Sequence, residues 1–133
     1  ENLSLRPKMV DKRLRKGDGI GSEVISPDFQ GDRKPEVLLI SWGSTKGAAE
    51  EAAVQLRSRK RRVATLHFSQ VWPLVPDQFV KVLEQSKQVI CVENNATGQL
   101  AQLIRKETGF VIKKRISRYD GLPITPDYIL RHL

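Results

Sequence analysis

Apolar residues in this chain come in short runs, separated by polar glycine-containing turns and by longer segments with helical spacing. Val37, Leu38, Leu39 and Ile40 form a run too short for a buried helix, preceded by Pro35 and closed by Ser41, Trp42 and Gly43. Such a run reads as a strand covered on both faces, the central strand of a parallel sheet. Gly43, Ser44 and Thr45 then supply a tight turn and an N-cap for a following helix. In that helix Ala48, Ala52 and Leu56 recur every four residues with Ala49 and Ala53 beside them. Its packed face is therefore made of small side chains, and the helix can lie close to the sheet.

The same unit recurs. Residues 63–68 form a second strand, and its helix starts at Pro76, a residue suited to the first helical position, with Phe79, Val82 and Leu83 on one face. Residues 88–93 form a third strand. Asn94, Asn95, Ala96, Thr97 and Gly98 make its turn, and Leu100, Leu103 and Ile104 line a helix that ends at Gly109. Residues 111–116 are more polar and suit a sheet edge. The turn-rich tail that follows includes Thr125 and Pro126, a pair that can cap a last short helix.

Strands alternating with helices at this spacing require right-handed crossovers. The expected fold class is α/β, a three-layer α/β/α arrangement on a mostly parallel open sheet. The 37–40 strand lies in the middle, flanked by 63–68 and 88–93, with 111–116 outside the latter. Strand order then reverses at the central strand, and open α/β sheets bind ligands at such a switch point. Two turns meet there: Gly43, Ser44 and Thr45 on one side, and Asn94, Asn95, Thr97 and Gly98 on the other. They are candidates for an interface or an anion-facing site, with plain capping of their own helices by Thr45 and Thr97 as the alternative. Residues 1–35 read as an arm leading into the domain, with a helical turn at 9–16 and an edge strand at 22–26. Residues 36–133 read as the α/β domain with a C-terminal docking tail.

A chain of 133 residues suits one domain with a real core. Its net charge of +8 would favour acidic partners, but much of the excess is Arg57, Arg59, Lys60, Arg61 and Arg62 at a helix end, where cations complement the dipole. Aromatic residues are 6% of the chain and none interleaves with that run, so nucleic-acid binding has little behind it. Cys91, the single cysteine, sits in an apolar strand as a small hydrophobe and fits a reducing compartment. No run approaches the roughly 18 apolar residues of a membrane span. A soluble, cytoplasmic protein is expected.

The turn from Trp42 to Gly47 invites a phosphate-binding reading, since backbone amides at a helix start attract anions. It lacks G-x-G-x-x-G with an acidic residue near the end of the next strand, where His67 and Phe68 stand, and it lacks P-loop spacing. A glycine turn that permits close helix packing is the favoured explanation. Ser44 has no G-x-S-x-G elbow, and His67 and His132 stand beside no ligand cluster. Asp120 and Asp127 lie in the tail and do not make a carboxylate pair. No catalytic, cofactor-binding or metal-ligating set is complete, which points to a module that positions other parts. A free-standing nucleotide or coenzyme A binding module is the alternative.

The run Val92-Glu93-Asn94-Asn95-Ala96-Thr97-Gly98-Gln99-Leu100-Ala101, with Leu103-Ile104-Arg105 and Glu107-Thr108-Gly109, closely resembles the C-terminal domain of the alpha subunit of 2-oxoacid:ferredoxin oxidoreductases, most of all the 2-oxoglutarate members. Val10-Asp11-Lys12-Arg13, Trp42-Gly43-Ser44-Thr45, the 66–73 segment and Tyr119-Asp120-Gly121 extend the resemblance over nearly the whole chain. It implies a transketolase C-terminal-domain-like fold within an enzyme that oxidatively decarboxylates a 2-oxoacid to an acyl-coenzyme A and reduces ferredoxin. It also implies thiamine diphosphate, magnesium and an iron–sulfur cluster held chiefly by the beta subunit, with an upstream alpha-subunit domain completing the thiamine site. The partners implied for this chain are that upstream domain and the beta subunit, with ferredoxin and coenzyme A reached through the complete enzyme. One cysteine cannot ligate a four-cysteine cluster.

Overall fold

The central apolar run does form the middle of a sheet. The structure, a computed structural model, describes residues 5–133. In chain order the elements are α1 (Leu5–Gly21), β1 (Asp28–Gly31), β2 (Val37–Trp42), a 3-10 turn (Gly43–Thr45) running into α2 (Lys46–Ser58), and β3 (Val63–Phe68). There follow a second 3-10 turn (Pro76–Gln78), α3 (Val80–Gln85), β4 (Gln88–Glu93), α4 (Gln99–Thr108), β5 (Lys114–Ser117) and α5 (Pro126–Arg131). The sheet order is β1-β3-β2-β4-β5, with every pairing parallel except the antiparallel edge β1–β3.

Handedness accounts for the layers. A right-handed crossover from β2 to β3 puts α2 on one face of the sheet, and crossovers in the opposite direction, β3 to β4 and β4 to β5, put α3 and α4 on the other. Leu38, Ile40, Leu66, Phe68 and Cys91 accordingly pack with Phe79, Leu83, Leu100 and Ile104. Val37, Leu39, Val63, Ile90 and Val92 pack with Ala49, Ala52, Ala53 and Leu56, and with Ile124 and Ile129 of the C-terminal segment. Thr125 begins α5 as expected, its Oγ1 accepting from Tyr128 N at 3.2 Å. Gly109 closes α4, donating its N–H to Arg105 O at 2.9 Å.

Two expectations about the first thirty-five residues are corrected. The edge strand lies at Asp28–Gly31 rather than at 22–26, because Phe29 is the residue that reaches the core and Gly31 is the one that lets the backbone pass close to β3. The helical turn expected at 9–16 is part of a helix extending over Leu5–Gly21, none of whose residues is buried. The last strand is also shorter than the 111–116 reading, because the chain joins β4 only from Lys114 onward.

Ala49, Ala52 and Ala53 are completely buried between α2 and the sheet. Ala52→Leu is therefore expected to destabilise the chain by about 1–3 kcal/mol, since a close-packed face has no room for added methylenes. Urea melts measure this, and an unchanged midpoint would mean that α2 can lift off the sheet at no cost.

Candidate functional site at the strand switch point

β2 stays paired with β3 as far as Trp42↔Phe68, but its pairing with β4 stops at Ile40↔Cys91. Beyond that point the two central strands part, which opens a cleft of about 260 Å³ lined by Trp42, Gly43, Ser44, Thr45, Asn94, Asn95 and Gln99. A second, shallower depression adjoins it through Ser44 and Asn94 and continues along Arg118, Tyr119 and Leu122. Five of the candidate residues, Gly43, Ser44, Thr45, Asn94 and Asn95, thus come together. Thr97 and Gly98 line neither depression.

Glu93 organises this end of the sheet, and its role is not apparent in the sequence. It closes β4 on the same face as Cys91, wholly buried, directly beneath the start of α4. Its Oε1 accepts from Leu100 N at 2.7 Å, from the Trp42 indole Nε1 at 3.1 Å and from Asn95 Nδ2 at 3.1 Å, and its Oε2 accepts from Ala101 N at 3.4 Å. A helix start offers free N–H groups and partial positive charge, so a buried carboxylate there is compensated without a cation. Asn95 Oδ1 takes the next amides, Gly98 N at 2.6 Å and Gln99 N at 3.2 Å. The anion site that every such helix offers is filled by the chain itself. An alternating pattern that places a glutamate on the core face of β4, shortly before a helix, is the signal that could have exposed it.

The capping expectation is corrected at both turns. Thr45 lies inside a continuous helical run, so its hydroxyl cannot reach forward amides. It turns back instead, donating to Trp42 O at 2.8 Å and accepting from Trp42 N at 3.3 Å. Thr97 caps nothing with its side chain. Its carbonyl accepts from Gln102 Nε2 at 2.6 Å and from Arg115 Nη1 at 2.8 Å. Gly98, the residue before α4, has φ of +69°, and a Cβ there would collide with the Arg115 guanidinium.

Asn94 and Asn95 are not free turn residues. Asn94 Nδ2 donates to Arg118 O at 3.3 Å and Leu122 O at 3.1 Å, while its Oδ1 accepts from Ile124 N at 3.4 Å. This side chain therefore ties the tail to the sheet. Arg118 completes the tie, pairing with Asp120 at 2.9 Å, donating to Pro123 O at 2.9 Å and lying over the Tyr128 ring. Arg118 holds the Asp120 carboxyl below the usual carboxylate range. Asp120 serves a local turn by accepting from Leu122 N at 3.0 Å. His132 stacks on Tyr128.

On the α2 face Ser41 Oγ and His67 Nδ1 are 2.9 Å apart and buried. Lys46, Asp28 and Glu50 lie close by, with Lys46 Nζ 3.0 Å from Asp28 Oδ2. Burial first, and Lys46 second, lower the His67 pKa below its ordinary value. The unfolded chain then binds this proton more readily than the folded one, so stability is full above the unfolded pKa of about 6.5 and falls as pH drops through the lower folded value. Denaturant midpoints should decline as pH falls below about 6.5, and His67→Asn should flatten that decline. An equal decline in the variant would assign the effect to other groups.

These residues do not fit the cofactors that the resemblance implies for the whole enzyme. Cys91 is fully buried, and burial together with the adjacent Glu93 charge pushes its thiol well above the ordinary range. Among the described residues no three His, Cys, Asp or Glu side chains converge to hold a metal ion. No described helix is long and apolar enough to cross a membrane.

The family model described as pyruvate:ferredoxin oxidoreductase core domain II matches residues 35–129. The alpha subunit of 2-oxoacid:ferredoxin oxidoreductase 1 from Aeropyrum pernix is 36% identical over 122 residues, which is 87% of this chain and 19% of that subunit. The chain thus spans about a fifth of the length of that curated relative. The structure of 2-oxoglutarate:ferredoxin oxidoreductase from Magnetococcus marinus, solved with 2-oxoglutarate, coenzyme A and succinyl-CoA bound, superposes with a TM-score of 0.85 at 27% identity, covering 98% of this chain and 23% of that one. A split-gene transketolase, 14% identical with a TM-score of 0.60 over 79% of this chain and 39% of its own, shares the fold alone. With its model running from before β2 into α5, the pyruvate:ferredoxin oxidoreductase core domain II family is the one to which this chain belongs.

Proposed function

We propose that this chain is a structural and assembly domain of the alpha subunit of a thiamine-diphosphate-dependent 2-oxoacid:ferredoxin oxidoreductase, with 2-oxoglutarate as the 2-oxoacid. The complete enzyme oxidatively decarboxylates its substrate, forms the acyl-coenzyme A and reduces ferredoxin in the cytoplasm. This domain contributes a rigid carboxyl edge against which the upstream alpha-subunit domain and the beta subunit are held. One observation carries the reading: the groups at the switch point that could bind an anion or exchange a proton are already spent on one another, with Glu93 on the α4 amides and Trp42, and Asn94 on the tail. Around them Ser44, Tyr119 and Leu122 remain exposed, a mixture of polar and aromatic surface that suits protein contact. The Magnetococcus relative supports the choice of 2-oxoglutarate.

Ser44→Lys combined with Leu122→Lys tests the surface, since both side chains are exposed. Charges desolvated in an interface oppose association. The variant is expected to keep the native circular dichroism spectrum yet to co-elute poorly with the beta subunit when the full alpha subunit is co-expressed. Normal assembly by the folded variant would remove this edge from the interface.

A further inference from the structure

β5 is the open edge of the sheet, paired with β4 on one side only. Between this edge and the outer side of α4 runs a groove of about 830 Å³, and Arg105, Lys106, Lys113 and Arg115 converge on it around the half-exposed Val111. Among the described residues, no acidic one lines it. Among the described residues, carboxylates pair with Lys46, Arg62 and Arg118, but none reaches any of these four cations. Among the described residues, only Arg115 of the four has a side-chain hydrogen-bond partner within the chain, the Thr97 carbonyl.

An unpaired edge is a template for another strand, and lysines on it normally repel one. Here the repulsion is selective. A neutral or basic segment gains nothing from four clustered cations, whereas an acidic one gains the charge as well as the edge backbone, on which the Ser117 carbonyl alone accepts from a side chain, Tyr128 Oη at 3.1 Å, among the described residues. We propose that the β5–α4 groove receives an extended acidic segment of a partner protein. That segment adds as a further strand along Lys114–Ser117, with its carboxylates against Arg105, Lys106 and Lys113. Backbone pairing fixes the direction of such a segment, and charge complementarity selects it and speeds its capture. The inference concerns the sheet edge rather than the switch point and does not depend on the enzyme reading.

The test titrates the chain with a fluorescent oligoglutamate peptide, beside an oligoglutamine peptide and a single-stranded oligothymidylate of matched length. The glutamate peptide is expected to bind saturably and the glutamine peptide to bind at least about tenfold more weakly, with the charged interaction falling steeply as salt shortens the Debye length. Hydrogen exchange at residues 114–117 should slow on binding. Lys106→Glu with Lys113→Glu, both at exposed positions, should weaken binding by at least about tenfold, and Arg105→Gln with Lys106→Gln is the milder variant should the first lose its native circular dichroism. Failure of the glutamate peptide to bind would overturn the proposal. Equal binding of the oligothymidylate, unchanged affinity in the variants, or binding without protection at 114–117 would each do the same.

Discussion

Replacing Glu93 by alanine is expected to cost about 2–5 kcal/mol, because it strands several buried or half-buried donors at once and each costs about 1–3 kcal/mol when left unpaired. Leu100 N loses its 2.7 Å acceptor, and the Trp42 indole and Asn95 amide lose theirs. Glu93→Gln should fall between, since it keeps one carbonyl oxygen but turns an NH2 toward donors and gives up the charge that suits the start of α4. Urea denaturation of the three proteins measures the series. The damage should also appear locally, as faster hydrogen exchange in the first turn of α4 and as a change in Trp42 fluorescence. A Glu93→Ala protein within about 0.5 kcal/mol of the parent, the range of ordinary surface changes, would mean that water replaces the carboxylate and that this end of the sheet is not dry.

Gly31→Ala should have the next largest effect, of about 2–4 kcal/mol, from a strained backbone conformation and a collision that cannot relax. Gly31 has φ of +116°, and a Cβ there would lie 2.6 Å from Val63 O and 2.9 Å from Ala64 Cα. Both obstacles are backbone of β3, so β1 must move away. Leaving the sheet would separate Asp28 from its Lys46 partner and uncover His67, which faces Asp28 in the β1–β3 register. The loss is limited by what β1 contributes, so the variant should remain folded with rapid exchange confined to Asp28–Gly31. Global unfolding would show instead that the rest of the sheet depends on this edge.

The sheet is legible in the sequence because each physical constraint acts on it in the same direction. The run Val37 to Ile40 is apolar on both faces and so must be central, right-handed crossovers dictate the order of its neighbours, and alanines at helical spacing mark the face of α2 that meets it. Thr125-Pro126 and Gly109 work through local geometry, which is why α5 and the end of α4 are legible too. What is hidden depends on contacts between residues distant in sequence. Glu93 followed by two asparagines reads as the polar end of a strand, and only the fold shows that α4 returns over it and that Trp42 reaches it from β2. Thr45 and Thr97 have the right residue type for caps, but a 3-10 turn starts the helical run before Thr45, and the left-handed Gly98 takes the capping position after Thr97. α1 continues through Gly17 and Gly19, residues that weaken helices, and no buried residue within it accounts for this.

We propose that the switch point, closed by the chain's own Glu93 carboxylate, holds the domain together rather than binding a cofactor. An amide-resolved NMR titration of the chain with thiamine diphosphate and magnesium tests it most directly, read at Leu100 and Ala101, whose N–H groups face Glu93. The expected result is that neither resonance moves, at concentrations well above those that saturate a tight diphosphate site. A saturable shift of both at micromolar ligand would contradict the account, because it would require the diphosphate to displace Glu93 from the start of α4.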